Sequence, residues 1–490
     1  MFNRDQLLAH GCIDARAAAL TIVGAALEAV DPAKRLLDDV HVSSGRLHVN
    51  GDVYDLARYH RIYVVGAGKA TYAMAAGLES VLGLRLTDGF IAVKSGQASS
   101  LALKYGFLRK VRVLECGHPL PDLNSLAAGQ EVMRIARAAT RNDLVFCLMT
   151  GGISSLCVAP VDGLLFEDKL RLYDALVHSG ADTTEMMTVR SHLSKIKGGK
   201  LAQMIAPATT VGLCVSDEKE DGLEWCASWT VSDKSSADDA IGILQRYDVW
   251  HELPDRLRQL LVRHERGPST NPLGVRVQNH MLVRTRDLWP PAAQAATLLG
   301  LAPTLLTTVL SGESRHAGTV LGGVVSEISR SGSPVPAPCA VVALGETTVR
   351  VEDSRTGGGG PNQELGIAAA LAMGGGGCSV ALCAIDTDGT DGPTGVAGAL
   401  VDGLTVARAH AVGINLTEAL HSHDASAALT AIGDAVIMGH TGTNVNDIIV
   451  SVVYPPRQFN RTARHLVRPL NGVVPVTCQP STTSREGLSG

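Results

Sequence analysis

Aromatic side chains are scarce in this chain: only 4% of its 490 residues are Phe, Trp or Tyr. That shortage argues against an all-β sandwich built on large rings and favours close packing of Ala, Gly and Val in α/β layers. No strong charge of either sign is present, since 43 Lys and Arg against 48 Asp and Glu leave a formal net charge of −5. A global basic field, the mark of a nucleic-acid or anionic-membrane partner, is therefore excluded. The 10 cysteines include no Cys-x-x-Cys pair and no Cys/His zinc spacing. They make neither a disulfide scaffold nor a zinc site, and buried reduced thiols are expected instead.

Long apolar runs are missing too. Ala17 to Val30 is too short to span a bilayer and carries Glu28, while Asp5 and Asp14 suit neither a secretory leader nor a transit peptide. The final Leu488-Ser489-Gly490 is no peroxisomal address. These features read as a cytoplasmic protein that opens on an amphipathic helix. There is no repeat of 20–50 residues and no G-x-S-x-G elbow. Thr71 stands at the third glycine position of a dinucleotide fingerprint, and Tyr63 stands where a Walker loop needs its first glycine.

What the chain does have is glycine, 52 residues of it, well above the usual share of about 7%. Short β-branched runs alternate with helical patterns, which predicts parallel α/β layers. Strands are expected at Arg61–Val65, Val111–Leu114, Asp143–Met149, Thr210–Val215, Cys339–Leu344 and Ser379–Ile385. Helices are expected after Lys69, from Asn124 or Ser125, from Phe166 to Gly180, over Thr184–Lys197 and over Asn362–Ala372.

Several strand ends carry chemistry. Gly66-Ala67-Gly68-Lys69 is a strand–turn–helix whose glycines allow backbone amides to approach an anion, with Lys69 as a point charge for phosphate. Gly151-Gly152-Ile153-Ser154 is a second turn of that kind. In the segment Arg190 to Lys200, Arg190 and Lys197 are seven apart and share a helix face, which suits carboxylate or phosphate recognition. A solvated basic face is the competing reading. Asp386-Thr387-Asp388-Gly389-Thr390-Asp391-Gly392 offers hard oxygen ligands for magnesium at a strand's carboxyl end, with an Asx-rich turn as the alternative. Thr441 to Asp447, with Asn444, is a polar glycine-containing turn. Glycine-bent loops bearing Lys, Arg and Asp are the ingredients of phosphoryl transfer.

The ordered set Gly66 to Ala70, Gly117-His118-Pro119-Leu120-Pro121-Asp122, Val189 to Ala202, Gly345 to Val349, Asn362-Gln363-Glu364, Asp386 to Gly392 and Thr441 to Asp447 resembles the glycerate 2-kinase family over residues 5–455. That family joins a DUF4147-type part to a MOFRL part. The resemblance implies two α/β domains, the larger with a Rossmann-like parallel sheet, and an active site in the interdomain cleft. Boundaries are expected at 1–265 and 275–455, with a tail at 456–490. It further implies ATP-dependent phosphorylation of D-glycerate to 2-phosphoglycerate with Mg²⁺, both substrates being small molecules. Lys69, Arg190, Asp217 and Asp386 are the implied catalytic residues. Gly66, Gly68, Gly151, Gly152, Ser154, Lys197, Arg355, Asn362 and Asn444 are the implied binding residues, and Asp386 and Asp388 the implied metal ligands. Where the family places Gly-Gly-Arg-Asn-Gln-Glu, this chain has Gly359-Gly360-Pro361-Asn362-Gln363-Glu364, and Arg355 is the stand-in arginine. Ile153 and Trp229 also depart from the family pattern. These departures leave two alternatives open: a kinase for another hydroxy or sugar acid, or a ligand-binding pseudo-kinase.

Overall fold

In a computed structural model of the chain, residues 3–181, 183–217, 223, 228–263, 276–351, 357–374 and 379–455 are described. Three short strands come first, β1 (Val40–Ser43), β2 (Arg46–Val49) and β3 (Asp52–Asp55), paired as an antiparallel meander. Both hairpins turn on two residues of positive φ, Ser44-Gly45 and Asn50-Gly51, the backbone that matches the twist of the flanking strands.

The first large sheet holds β4 (Arg61–Ala67), β5 (Leu86–Lys94), β6 (Val111–Cys116), β7 (Asp143–Thr150), β8 (Thr209–Ser216) and β9 (Arg276–Arg284). All its pairings are parallel, in the order β6-β5-β4-β7-β8-β9. This is the doubly wound order of a Rossmann sheet. The strand order reverses between β4 and β7, and ligands bind at the carboxyl ends of such a pair. Every residue of β7 is buried, as expected of a strand covered by helices on both faces.

The second sheet holds β10 (Ala302–Leu310), β11 (Cys339–Gly345), β12 (Val380–Asp386), β13 (Gly398–Asp402), β14 (Ala435–Val436) and β15 (Asp447–Val453), ordered β10-β11-β15-β12-β13-β14. Only β10 and β11 run parallel. The expectation of parallel layers is therefore corrected for this half. Strand β15 lies between β11 and β12 and opposes both, which puts Asp447 directly across from Asp386.

Two further expectations change. Helix Ile13–Ala29 is not amphipathic: Ala15, Arg16, Ala18, Ala19, Leu20, Ile22, Val23 and Ala26 are all buried, because the helix packs on β12 and β15 of the second sheet. Its Arg16 reaches Asp402 at 2.8 Å and Asp434 at 3.0 Å. Strand β9, which begins at Arg276, completes the first sheet. The division at 265 and 275 thus does not follow the sheets, since the N-terminal helix serves the second and residues 276–284 the first. Residues 3–455 belong to one compact unit, and the expected tail at 456–490 lies outside the described residues.

Helix Leu123–Ala138 is capped by Asp122 rather than Asn124 or Ser125; Asp122 accepts from the Ser125 amide at 2.8 Å. Among the described residues no helix is long and apolar enough to cross a membrane. Cys12, Cys116, Cys147, Cys157, Cys214, Cys339 and Cys383 are buried, as the sparse cysteine pattern led one to expect.

Candidate active site

The turn after β4 is held by its own backbone. Gly68 N–H donates to Ala92 O at 3.1 Å, Lys69 N–H to Gly151 O at 2.9 Å, and Ala70 N–H to Thr150 Oγ1 at 3.1 Å. These amides are spent on the fold, so the turn at Gly68 does not offer the anion cradle expected of it. The role of Gly66 and Gly68 is close approach. A Cβ on Gly68, at φ +134°, would stand 2.0 Å from Thr150 Oγ1, and one on Gly66 would stand 2.9 Å from Leu148 Cβ. Absence of side chains lets the β4 and β7 turns touch and aims Lys69 outward from their junction.

Lys69 meets the second sheet there. Its Nζ lies 2.7 Å from Asp388 Oδ2 and 3.5 Å from Asn444 Oδ1. Asn444 Nδ2 in turn donates to Asp217 Oδ2 at 2.7 Å. Burial opposes the charge of Lys69, but Asp388, Asp386 and Asp217 more than offset it, and its pKa is raised. Asp388 is buried as well, yet Lys69 and Lys94 hold its pKa below the usual value. Asp217 goes the other way: burial raises it and Lys69 only partly compensates. Gly151 makes this pairing possible, because a Cβ there would fall 1.7 Å from Asp217 Oδ2 and 2.1 Å from Asn444 Nδ2.

Asp386 ends β12 and Asp447 begins β15, as directly opposed partners. Opposed like charges repel. Burial and the neighbouring carboxylates accordingly raise both pKa values well above normal. Asn362 donates through Nδ2 to Asp447 Oδ1 at 2.8 Å and to Asp391 Oδ1 at 3.2 Å, while its own Oδ1 is buried without a partner. Asp391 accepts the backbone amides of Asn362 at 3.1 Å and Gln363 at 3.0 Å, at the start of helix Pro361–Met373. A carboxylate from the acidic loop thus seats on a helix N-terminus. Asn362, expected to bind phosphate, is instead the link between two loops that carry carboxylates.

The basic segment divides. Lys195 pairs with Asp162 at 2.5 Å, and Lys200 donates to the carbonyls of Ser191 and Ser194, both at 2.8 Å. Arg190 and Lys197 turn inward. Lys197 Nζ donates to Ser154 Oγ at 2.8 Å, and Arg190 stacks 4.3 Å from the centre of the Tyr173 ring, whose hydroxyl donates to Ser154 O at 3.4 Å. They do not share one helix face, as expected from spacing, since helix Thr183–His192 stops before Lys197. Lys197 nonetheless reaches the Gly151–Ser154 turn directly, and Arg190 is joined to it through the Tyr173 ring. Arg355 lies outside the described residues.

Sequence reasoning gave Lys94 no role and placed Asp391, Asp447 and His118 only within motifs, without a role of their own. Lys94 donates to Thr390 Oγ1 at 3.1 Å, and Thr390 Oγ1 to Asp388 Oδ1 at 2.7 Å, so a second lysine steadies the carboxylate that holds Lys69. Burial, with Lys69 and Lys94 nearby, pushes His118 down to about 3. The signal for Asp447 was available: it follows the turn Thr441 to Asn446 and precedes an apolar β-branched run, Ile448 to Val453.

Comparison with known proteins bears on this arrangement. Residues 18–262 match a family model described as a domain of unknown function, DUF4147, and residues 339–447 match the MOFRL family. A glycerate 2-kinase of Pyrococcus horikoshii is 37% identical over 91% of this chain and 99% of its own. The chain belongs to the glycerate 2-kinase family. A D-glycerate 2-kinase of Thermotoga maritima is 34% identical over 80% of this chain and 91% of its own. The crystal structure of a glycerate kinase from Thermotoga maritima superposes with a TM-score of 0.73 at 32% identity, covering 89% of this chain and 99% of that one.

Two departures from the family pattern now have a structural account. Pro361 is the first residue of helix Pro361–Met373, a position that needs no amide and suits a fixed φ. Arg315 Nη2 reaches Glu364 Oε2 in the same first turn at 3.1 Å, so a guanidinium does stand beside this helix start. Trp229 is fully buried in the core beneath the first sheet, where its size is used for packing.

Proposed function

We propose that this glycerate 2-kinase family member transfers the terminal phosphate of ATP to the 2-hydroxyl of D-glycerate, working in the cytoplasm on two small molecules. The observation that carries the reading is the contact between Lys69 on the first sheet and Asp388 on the second, with Asn444 joining the same lysine to Asp217. A cation and several carboxylates converge at the switch point of a doubly wound sheet, where such folds hold ligands.

Roles follow from charge and burial. Lys69, kept protonated by its acidic neighbours, neutralises the transferring phosphate. Arg190 and Lys197 orient the anionic end of a substrate, Arg190 offering a planar fork. Asp217, with its pKa raised by burial, accepts the proton of the attacking hydroxyl, and Asn444 fixes its direction. For Mg²⁺ the donor set fits: Asp386 and Asp447 face each other beside the unpartnered Oδ1 of Asn362. Asp388 is taken up by Lys69 and Thr390, so Asp386 is the better ligand of the expected pair. Among the described residues no group of three or more His, Cys, Asp or Glu side chains is placed to hold a metal ion by itself, which suits an ion held by one or two carboxylates plus phosphate and water. When bound, Mg²⁺ neutralises phosphate charge. The protein's own contribution is positioning and exclusion of water.

An ADP-coupled assay with ATP, Mg²⁺ and D-glycerate tests the reading. Glycerate-dependent ADP formation is expected from the intact chain, and its absence would remove the assignment.

A further inference from the structure

Two cations share one aromatic ring. Lys169, on helix Phe166–His178, is 1% exposed, and its Nζ lies 4.6 Å from the centre of the Tyr173 ring. The guanidinium of Arg190 lies 4.3 Å from the centre of the same ring. Among the described residues neither has a carboxylate partner, and the buried Nε of Arg190 has no hydrogen-bond partner. The acids nearby are engaged elsewhere: Asp168 by Arg256, Glu185 by Arg246 and Asp162 by Lys195.

A cation–π contact recovers only a small part of what removing each ion from water costs. This corner is therefore costly while unliganded. An arriving oxyanion would offset that cost. Arg190 lies against the ring with Nη2 on the weak acceptor Met186 Sδ at 3.8 Å, which leaves its other donors, the unpartnered Nε among them, for a planar or tetrahedral oxyanion. The Tyr173 hydroxyl joins the corner to Ser154, where Lys197 also ends.

We propose that Lys169, Arg190 and the Tyr173 ring they share form an oxyanion subsite, with Lys169 as a binding residue contributed from outside the basic segment 190–200. This inference rests on the phosphoryl-transfer reading above and deepens it. The ligand is an anionic oxygen group, either the carboxylate of the acid substrate or a phosphate of the nucleotide.

Calorimetric titration of the full chain with D-glycerate, and separately with Mg²⁺ and a non-hydrolysable ATP analogue, separates the two sources. Lys169→Met is expected to weaken one of these ligands about tenfold or more and to leave the other within about twofold. The weakened ligand names the source. The same variant is expected to raise the melting temperature of the unliganded protein, because a buried uncompensated charge is removed. Unchanged affinity for both ligands, or a lowered melting temperature, overturns the subsite. Failure of the wild-type coupled assay would instead overturn the kinase reading, whatever Lys169→Met does to binding.

Discussion

Lys69 Nζ on the β4 turn lies 2.7 Å from Asp388 Oδ2 on the β12 loop. One ion pair therefore spans the two sheets and sits at the centre of the site. Breaking it from one side leaves a carboxylate buried without its cation. Lys69→Met is expected to lower stability by about 3–5 kcal/mol in urea denaturation and turnover by about 10²–10³-fold. Adding Asp388→Asn to Lys69→Met is expected to recover much of the stability and none of the turnover. Recovery of turnover by the double variant would contradict the role given to Lys69.

Gly151 is needed for space. A methyl group there collides with Asp217 Oδ2 and Asn444 Nδ2, and displacing a reacting group by about 1 Å costs on the order of 10²-fold in rate. Gly151→Ala is expected to cut kcat by about that factor while the far-ultraviolet circular dichroism spectrum stays native. Near wild-type kcat would show that Asp217 and Asn444 need not stand where they do.

Burial raises the Asp391 carboxyl to about 6, against hydrogen bonds from Asn362 and Gln363 that lower it. Its folded pKa exceeds the unfolded value of about 3.9, so the native state binds the extra proton. The stability this contributes is complete below about pH 4 and is lost as pH rises through 6. The loss amounts to about 3 kcal/mol. Denaturation midpoints taken across pH 4–7 are expected to show a smaller decline for Asp391→Asn than for wild type. Parallel curves would place the titration elsewhere.

Arg16 tests the attachment of the N-terminal helix. It is fully buried and pairs with Asp402 and Asp434, which Arg408 also contacts at 2.9 and 2.7 Å. Arg16→Ala is expected to cost about 3 kcal/mol and to leave turnover per folded molecule unchanged at 25 °C. A lowered kcat without loss of stability would mean that this network reaches the active site.

Much of the first sheet was legible because its strands are buried on both faces and read as continuous apolar runs, as at Asp143–Thr150. The second sheet was harder. Its central strand β15 is apolar too, but nothing local specifies that it opposes β11 and β12; that register is a tertiary property. The meander was missed although Asn50-Gly51 is a strong hairpin signal. For the site, motif residues were found and their work was misread. Gly68 and Asn362 looked like phosphate contacts, whereas the Gly68 amide and the Asn362 Nδ2 are taken by neighbouring loops. Charge spacing brought out Arg190 and Lys197, whereas the place of Lys169 against the Tyr173 ring is set by tertiary packing.

Lys69, Asp217 and Asp386 are proposed above to carry out phosphoryl transfer to a hydroxy acid. Phosphorus-31 NMR of the wild-type reaction with ATP, Mg²⁺ and D-glycerate tests it most directly. A growing 2-phosphoglycerate resonance matched by ADP, and abolished in Lys69→Met, is the expected result. ATP left unchanged by folded wild-type protein, or phosphate on another oxygen, would contradict it.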